Sequence, residues 1–167
     1  DRLWPVSRKS KPKQFLKFGS ERTLLQETLM RCNGDEFERR SIIVGTHKDR
    51  FHIASDVQEI DFAADMLLVP GSRGACAAIA AGCIVELERS DDPLMLVMTP
   101  DNRLAEPGTF EEAVIKAISA AENGHFVTFG LKPTNPSTNH NYIKPGEKIL
   151  PGFTHEIADI FDKPKMN

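Results

Sequence analysis

Residues 41–69, SIIVGTHKDRFHIASDVQEIDFAADMLLV, hold the pattern that decides the fold. Two short runs in it, 41–45 and 66–69, are apolar without alternation, and residues 48–60 between them carry apolar side chains at helical spacing. Strands without alternation are buried on both faces, so helices must cover the sheet that they form. The stretch therefore predicts an α/β layer fold in which a helix connects two parallel strands.

The same alternation of helices and apolar strands continues on both sides of this stretch. Helices are predicted at 22–31, at 75–88, and from a capping-box pattern at Thr109 to a closing glycine at Gly124. Ser20 is the expected N-cap of the first of them. Further apolar runs predict strands at 94–98, 126–129 and 157–161. Residues 132–148 are polar and rich in Pro and Asn, which predicts a long loop of the kind that is often functional.

Length and composition fit one domain over 1–167 and exclude several classes of protein. A chain of 167 residues can bury a core without disulfides or a structural metal. Its 21 basic and 24 acidic residues give a net charge of -3, which argues against a bulk nucleic-acid binder. Three cysteines without a C-x-x-C pair argue against a disulfide framework or a zinc site. No apolar run reaches the ~20 residues that cross a bilayer, and residues 1–18 lack the apolar core of a signal peptide, which favours the cytoplasm.

The first seventeen residues are basic and interrupted by proline, which predicts a loop. Arg2 and Lys13 lie near the apolar residues Trp4 and Phe15, which are expected to anchor them. A fork-shaped guanidinium together with the point charge of a lysine suits a polyphosphate. A solvated tail and a nucleic-acid-binding arm are the alternatives for this loop.

A carboxylate follows the apolar run at 94–98. Asp101 lies where that strand would end, at the edge of the sheet where ligands bind in folds of this kind. Carboxylate oxygens suit magnesium, which bridges phosphates, and a turn or helix cap is the alternative role. The five histidines are scattered without the spacing of metal ligands.

A series of short motifs runs through the chain in order. They are R-L-W-P-V-S-R at 2–8, P-K-Q-F-L at 12–16, T-L-L-Q-E-T-L at 23–29, V-P-G-S-R at 69–73, A-I-A at 78–80, L-V-M-T-P-D-N at 96–102, V-T-F-G at 127–130 and I-F-D-K-P at 160–164. Together they resemble the bacterial mannose-1-phosphate guanylyltransferases, in which a Gly-rich G-G-x-G loop precedes the R-L-W-P. The resemblance implies a fragment that lacks this loop and the C-terminal part, and that is inactive alone.

The resemblance implies the nucleotidyltransferase fold, a Rossmann-like, mostly parallel mixed sheet flanked by helices. It implies transfer of GMP from GTP to mannose 1-phosphate, giving GDP-mannose and pyrophosphate, with Mg²⁺ as the cofactor. The implied partners are GTP and mannose 1-phosphate, without nucleic acid or membrane, and a homo-oligomer stays open. The residues implied are catalytic Arg2, Lys13 and Asp101, of which Asp101 also binds the metal; nucleotide-binding Arg2, Lys13, Arg73 and Gly74; and sugar-phosphate-binding Asn139, Tyr142, Asp162 and Lys163.

Two loops depart from the family pattern. Gly74 and Ala75 stand where the family has Asn-Thr, and because they offer no side-chain hydrogen bonds to a base, they predict weak discrimination between nucleotides. Asn139-His140-Asn141 replaces a Gly-rich sugar loop, and the Asp162 side chain is one methylene shorter than the family's Glu. The alternatives are another sugar-1-phosphate nucleotidyltransferase, an inactive nucleotide-sugar-binding protein, and a nucleic-acid-binding domain that uses the basic loop.

Overall fold

The chain folds into two compact units, Asp1–Pro107 and Gly108–Asn167. The computed structural model describes residues 5–8, 10–31, 34, 37, 40–71, 73–104, 107–149 and 154–163. The first unit contains the short 3-10 helix η1 (Lys13–Phe15), α1 (Leu24–Met30), β1 (Ser41–Thr46), α2 (Arg50–Glu59), β2 (Ala64–Val69) and α3 (Ala75–Leu87). The remaining elements are α4 (Pro107–Glu122), β3 (Tyr142–Lys148) and β4 (His155–Phe161). No helix within these described ranges is long and apolar enough to cross a membrane.

The predicted strand–helix–strand motif lies at the centre of the first unit. β1 and β2 pair in parallel, from Ser41 opposite Ala64 to Thr46 opposite Val69. α2 connects the two strands and packs against both, and α3 packs against β1. The prediction of an α/β fold with a parallel sheet flanked by helices is therefore confirmed.

The core of the first unit joins η1, α1, α2 and β1. Its buried side chains are Phe15, Leu25, Leu29, Ile43 and Ile53. Burying each such side chain stabilises a fold by about 1.5–3 kcal/mol. Gly45 allows this packing, because a Cβ atom at that position would lie 2.4 Å from Cδ1 of Ile53. A larger residue at this position of β1 would force the end of the Ile53 side chain to shift.

The N-terminus of α1 differs from the prediction, because Thr23 and not Ser20 is the N-cap. The Thr23 hydroxyl accepts a hydrogen bond from the backbone N–H of Gln26 (3.2 Å), and the Gln26 side chain accepts one from the backbone N–H of Thr23 (2.9 Å). This reciprocal capping box satisfies two N–H groups that the helix itself leaves unpaired. Ser20 instead donates its hydroxyl hydrogen to Glu27.

An ion-pair clamp, formed by Arg40, Asp65 and Arg89, lies at the amino edge of the parallel sheet. Arg40 immediately precedes β1, Asp65 is the second residue of β2, and Arg89 follows α3. Both guanidinium groups donate to the Asp65 carboxylate, one to each oxygen. These bonds lower the pKa of Asp65, because they stabilise its charged form.

Two predicted strands do not form. The apolar runs 94–98 and 126–129 have no strand pairing among the described residues. An apolar run indicates burial and β-propensity. A strand also needs the edge of a neighbouring strand with which its backbone can form hydrogen bonds. The described strands form two two-stranded sheets, one parallel and one antiparallel.

α4 begins two residues before the predicted capping box and ends as predicted. Its first residue is Pro107, and proline suits that position because its missing N–H would be unpaired there anyway. Thr109 consequently lies inside the first turn, so its predicted capping box is wrong. Gly124 ends the helix at φ 83°, and its N–H donates to the Ala121 carbonyl at 2.9 Å. The backbone N–H of His125 donates to the Ala120 carbonyl at 3.2 Å, which completes a Schellman motif.

β3 and β4 form an antiparallel hairpin in the second unit. Tyr142 pairs with Phe161 at one end of the ladder and Lys148 pairs with His155 at the other. The strand predicted at 157–161 is confirmed as part of β4. The loop predicted over 132–148 is wrong for its last seven residues, which form β3 with a register shift at Pro145. A proline can lie there because the irregular ladder does not require its N–H.

Candidate functional site

A cleft of about 220 Å³ opens at the carboxyl edge of the parallel sheet. Its walls come from η1, the end of β1, the loop after β2 and the first turn of α3, and its floor is apolar core. The residues at its rim are Gln14, Gly45, Thr46, Asp49, Gly71, Arg73, Gly74, Ala77, Ala78 and Pro100. Ligands of open α/β sheets bind at this edge, so the cleft is the candidate site of the first unit.

Lys13 and Asp101, both predicted as site residues, lie together next to this cleft. Nζ of Lys13 donates to the backbone carbonyl of Asp101 at 2.7 Å and lies 3.9 Å from Oδ2 of its carboxylate. Both side chains are about half exposed, so a ligand can reach them. Their chain neighbours Gln14 and Pro100 line the cleft. The structure therefore brings a cation and a carboxylate to one side of the cleft.

The turn that carries Asp101 is held in place by further hydrogen bonds. Asn102 donates to the Thr99 hydroxyl at 3.1 Å, and Arg31, from the end of α1, donates to the Asn102 carbonyl. Backbone carbonyls in this turn thus receive bonds from both Lys13 and Arg31. These hydrogen bonds connect the Asp101 turn to η1 and to the end of α1, which lie far from it in sequence.

The loop after β2 brings Arg73 and Gly74 to the rim of the cleft, and their predicted role in nucleotide binding stays a prediction. Gly74 precedes α3 with φ 87°, a left-handed backbone that disfavours other residues, although no atom lies within 4 Å of the place a Cβ would take. The first N–H groups of α3 have no partner within the helix and carry partial positive charge. With the exposed Arg73 guanidinium beside them, this part of the cleft favours an anion.

Thr46 and Asp49 are cleft residues that the sequence analysis did not single out. The Thr46 hydroxyl donates to Oδ2 of Asp49 at 2.7 Å, and the Asp49 N–H donates to the Thr46 carbonyl at 2.9 Å. Thr46 is the last residue of β1, Asp49 lies in the turn after it, and both line the cleft. The signal that could have found them was their position, since polar residues directly after a buried strand lie at the edge where ligands bind.

The basic loop is anchored, as predicted, by contacts on both sides of Lys13. Phe15 is buried in the core and stacks on His52 with ring centroids 4.9 Å apart. His52 Nε2 donates to the Ser10 carbonyl at 2.9 Å, and Lys17 pairs with Glu59 at 3.2 Å. Arg2 and its predicted anchor Trp4 lie outside the described residues, so the role predicted for Arg2 stays a prediction.

A buried polar network supports this loop from beneath. Thr23 donates its hydroxyl hydrogen to Asp56 at 2.5 Å, while the fully buried Gln26 donates to the Asp56 carbonyl and to Glu59, both at 3.0 Å. Burial raises the pKa of Asp56, and the hydrogen bond from Thr23 partly opposes this. Hydrogen bonds from Gln26 and Lys17 lower the pKa of Glu59. The network joins α1 to α2, so neither helix can move alone and displace the basic loop.

The predicted sugar-phosphate residues lie at one end of the β3–β4 hairpin in the second unit. Tyr142 begins β3 opposite Phe161, and the exposed Asp162 and Lys163 follow directly. The Tyr142 hydroxyl accepts a hydrogen bond from the Ser137 N–H at 2.7 Å. Asn139 is attached to the same turn through its N–H, which donates to the Ser137 hydroxyl at 3.2 Å. Their roles toward a sugar phosphate stay predictions.

A metal site made of protein groups alone is not present in the part of the chain that the structure describes. No group of three or more His, Cys, Asp or Glu side chains converges there. Magnesium often uses only one or two carboxylates and takes its other ligands from water and substrate phosphates. Asp101 fits that second type of site, because its carboxylate is accessible and lies beside a cleft that favours anions.

Comparisons with known proteins agree with the fold. The whole chain, residues 1–167, matches the profile of the nucleotidyl transferase family. The xanthan biosynthesis protein XanB of Xanthomonas campestris is 39% identical over 166 residues, which make up 99% of this chain and 35% of that protein. A mannose-1-phosphate guanylyltransferase of Escherichia coli K12 is 36% identical over 172 residues, which make up 99% of this chain and 36% of that protein. The chain thus spans about a third of the length of these relatives.

A solved structure shares the fold over almost the entire chain. The crystal structure described as a mannose-1-phosphate geranyltransferase from Thermus thermophilus superposes with a TM-score of 0.85 at 28% sequence identity. The match covers 98% of this chain and 47% of that one. The arrangement of helices and strands described above is therefore that of a known fold.

Proposed function

Because the chain belongs to the nucleotidyl transferase family, we propose that the full-length protein transfers GMP from GTP to mannose 1-phosphate and releases pyrophosphate. The product of this reaction is GDP-mannose. The relatives that bear the name mannose-1-phosphate guanylyltransferase, at 33–36% identity over nearly all of this chain, support the choice of substrates. The single observation that carries the proposal is the Lys13–Asp101 pair beside a cleft at the carboxyl edge of the sheet.

The proposed reaction brings two highly charged molecules together. An oxygen of the sugar phosphate attacks the α-phosphorus of GTP, and the bond to the leaving pyrophosphate breaks. The protein must align the two partners and neutralise their charge. The groups proposed to align and neutralise the triphosphate are Lys13, Arg73 and the N-terminus of α3, which Gly74 precedes. Arg2 is proposed to act with them.

Asp101 is proposed to hold magnesium together with phosphate oxygens of the nucleotide. A carboxylate and phosphates are the oxygen ligands that this cation prefers. When bound, the cation would neutralise the charge that develops on the phosphates. Lys13 has three N–H donors, so it can keep its hydrogen bond to the Asp101 carbonyl while it donates to a phosphate oxygen.

The hairpin residues of the second unit are proposed to bind mannose 1-phosphate. Lys163 would pair with the phosphate, while Asn139, Asp162 and the hydroxyl of Tyr142 offer the hydrogen-bonding groups that sugar hydroxyls need. We propose a cytoplasmic location for the reaction, since both substrates carry several charges and do not diffuse across membranes.

The test is pyrophosphate release by the full-length protein. GTP, mannose 1-phosphate and magnesium are supplied together, and then each is omitted in turn. We expect release only from the complete mixture, and GDP-mannose as the second product by mass spectrometry. Replacing mannose 1-phosphate by glucose 1-phosphate tests the choice of sugar. A folded protein that binds GTP and yet releases no pyrophosphate with mannose 1-phosphate would overturn the proposal.

A further inference from the structure

Asp49 occupies a position where an aspartate usually caps a helix, but it does not cap α2. It directly precedes the helix, yet its side chain makes no hydrogen bond to the first-turn N–H groups. The carboxylate is instead held by the Thr46 hydroxyl at 2.7 Å. The Asp49 backbone is itself helical (φ -89°, ψ -7°) and does not have the extended conformation of an N-cap, so its carboxylate does not bond the first turn of α2 and lies on the wall of the cleft.

The position of this carboxylate suits recognition of a ligand. Asp49 and Thr46 are partly buried and lie on the cleft wall at the end of β1. No ion pair within the described ranges involves Asp49. A single hydroxyl donor uses one of about four acceptor positions on a carboxylate. The remaining positions are available to a donor on a ligand, and Thr46 fixes the plane in which the carboxylate presents them.

We infer that Asp49 reads the base of the bound nucleotide and selects guanine, an inference that rests on the proposed function. Guanine presents two neighbouring donors, N1–H and the exocyclic N2 amino group, and an ionised carboxylate can only accept. Adenine presents an acceptor, N1, at the corresponding edge, so its lone pair would face the negative oxygen. Selectivity of this kind is strong, because a mismatched base leaves a polar group of the site unpaired.

This assignment changes the expectation drawn from Gly74 and Ala75. Those two residues offer no side-chain hydrogen bond, which predicted weak discrimination between nucleotides. The carboxylate that can supply it comes from a different part of the rim, the turn after β1. The apolar floor of the cleft includes Phe15 and Ile43. It suits the flat face of a base whose polar edge meets Asp49.

The test compares four nucleotides on the full-length protein and its Asp49→Asn variant by calorimetric titration. We expect the wild type to bind GTP about tenfold better than ITP, which lacks the N2 amino group, and better than ATP by a larger factor. In the Asn variant, the affinity for GTP falls by about 10- to 100-fold and that for XTP rises, since xanthine carries a carbonyl in place of the amino group and the Asn amide can donate to it. A merely structural role for Asp49 would not produce this exchange of preference.

Two further variants sharpen the result. Thr46→Val removes the hydroxyl that orients the carboxylate, and we expect a smaller loss of GTP affinity without a gain for XTP. Asp92→Asn changes an exposed aspartate of the same unit outside the cleft, and should leave all four affinities unchanged.

Two results would overturn the inference while leaving nucleotidyl transfer intact. They are equal affinity of the wild type for GTP, ITP and ATP, and an Asn variant that still prefers GTP to XTP. Loss of nucleotide-dependent pyrophosphate release in the wild type would instead refute the proposed function, so the two failures are distinguishable.

Discussion

Replacing Gly45 by alanine should destabilise the first unit through a single steric contact. The new Cβ would lie 2.4 Å from Cδ1 of Ile53, far inside van der Waals contact. The contacted atom is the end of the Ile53 side chain, which is 2% exposed, belongs to the core and borders the cleft, so this side chain must turn away from the new methyl group and give up part of its packing. Overpacking of this kind costs about 1–3 kcal/mol, and alanine regains about 0.5–1 kcal/mol of the backbone entropy that glycine loses in a strand. We therefore expect a net loss of about 1 kcal/mol in the free energy of unfolding.

The assay is urea unfolding of the full-length protein, followed by circular dichroism. Gly71→Ala is the matched control, because no atom lies within 4 Å of the position that its new methyl group would take and its backbone is not left-handed, so a change within about 0.5 kcal/mol is expected. Ile53→Val removes the methyl group with which the new Cβ collides, at a cost of its own of about 0.5–1.5 kcal/mol. The double variant should then lose less than the sum of the two single variants by about 1 kcal/mol.

Two outcomes would refute this reasoning. One is equal stability of the Gly45→Ala and Gly71→Ala proteins, which would show that the strand and α2 are not in close contact at this point. The other is strict additivity in the double variant, which would place the loss somewhere other than between residues 45 and 53.

Three further predictions concern the charged residues. Lys13→Met should lower kcat/KM for pyrophosphate release by about 10²–10³-fold, with an unchanged circular dichroism spectrum, because it removes a cation that neutralises the phosphates. Asp101→Asn should raise the magnesium concentration needed for half-maximal turnover, and it should raise the activation barrier by several kcal/mol. Pyrophosphate release at a near-wild-type rate would contradict the metal role. Because Arg40 and Arg89 hold the pKa of Asp65 below its ordinary 3.8, its contribution to stability is complete well above that value and is lost as the pH falls through the lower, folded pKa. Asp65→Asn should therefore flatten the acid limb of the unfolding midpoint plotted against pH, and an unchanged limb would argue against the clamp.

The parts of the fold that could be predicted are the apolar runs that pack against helices. β1 and β2 both contact α2, and β1 also contacts α3, so their apolar runs identified them although most of their residues are only half-buried. The same criterion failed for 94–98 and 126–129, where apolar side chains are present but strand pairing is not. It also failed for β3, whose polar sequence and Pro145 conceal a strand that is held by pairing to β4 and not by burial.

The candidate site was predictable where the sequence carried a charge in an anchored loop. Lys13 was inferred from its neighbour Phe15, and the structure shows that Phe15 is buried and that Lys13 meets Asp101 across 88 residues of sequence. Thr46 and Asp49 were not predicted, although the predicted strand 41–45 ends just before them. Residue types alone do not show that the Thr46 hydroxyl donates to Asp49 or that both side chains line a cleft.

The ion-pair clamp lies at the amino edge of the sheet, away from the residues that form the rim of the cleft. Asp65, with one arginine on each oxygen, joins the beginnings of both strands to the end of α3, while every rim residue of the cleft lies at the other edge. Substitutions of Thr46 or Asp49 at the rim therefore leave the contacts of the clamp unchanged. A protein arranged in this way can acquire a new nucleotide preference by few mutations at the rim, because the clamp does not depend on the residues that change.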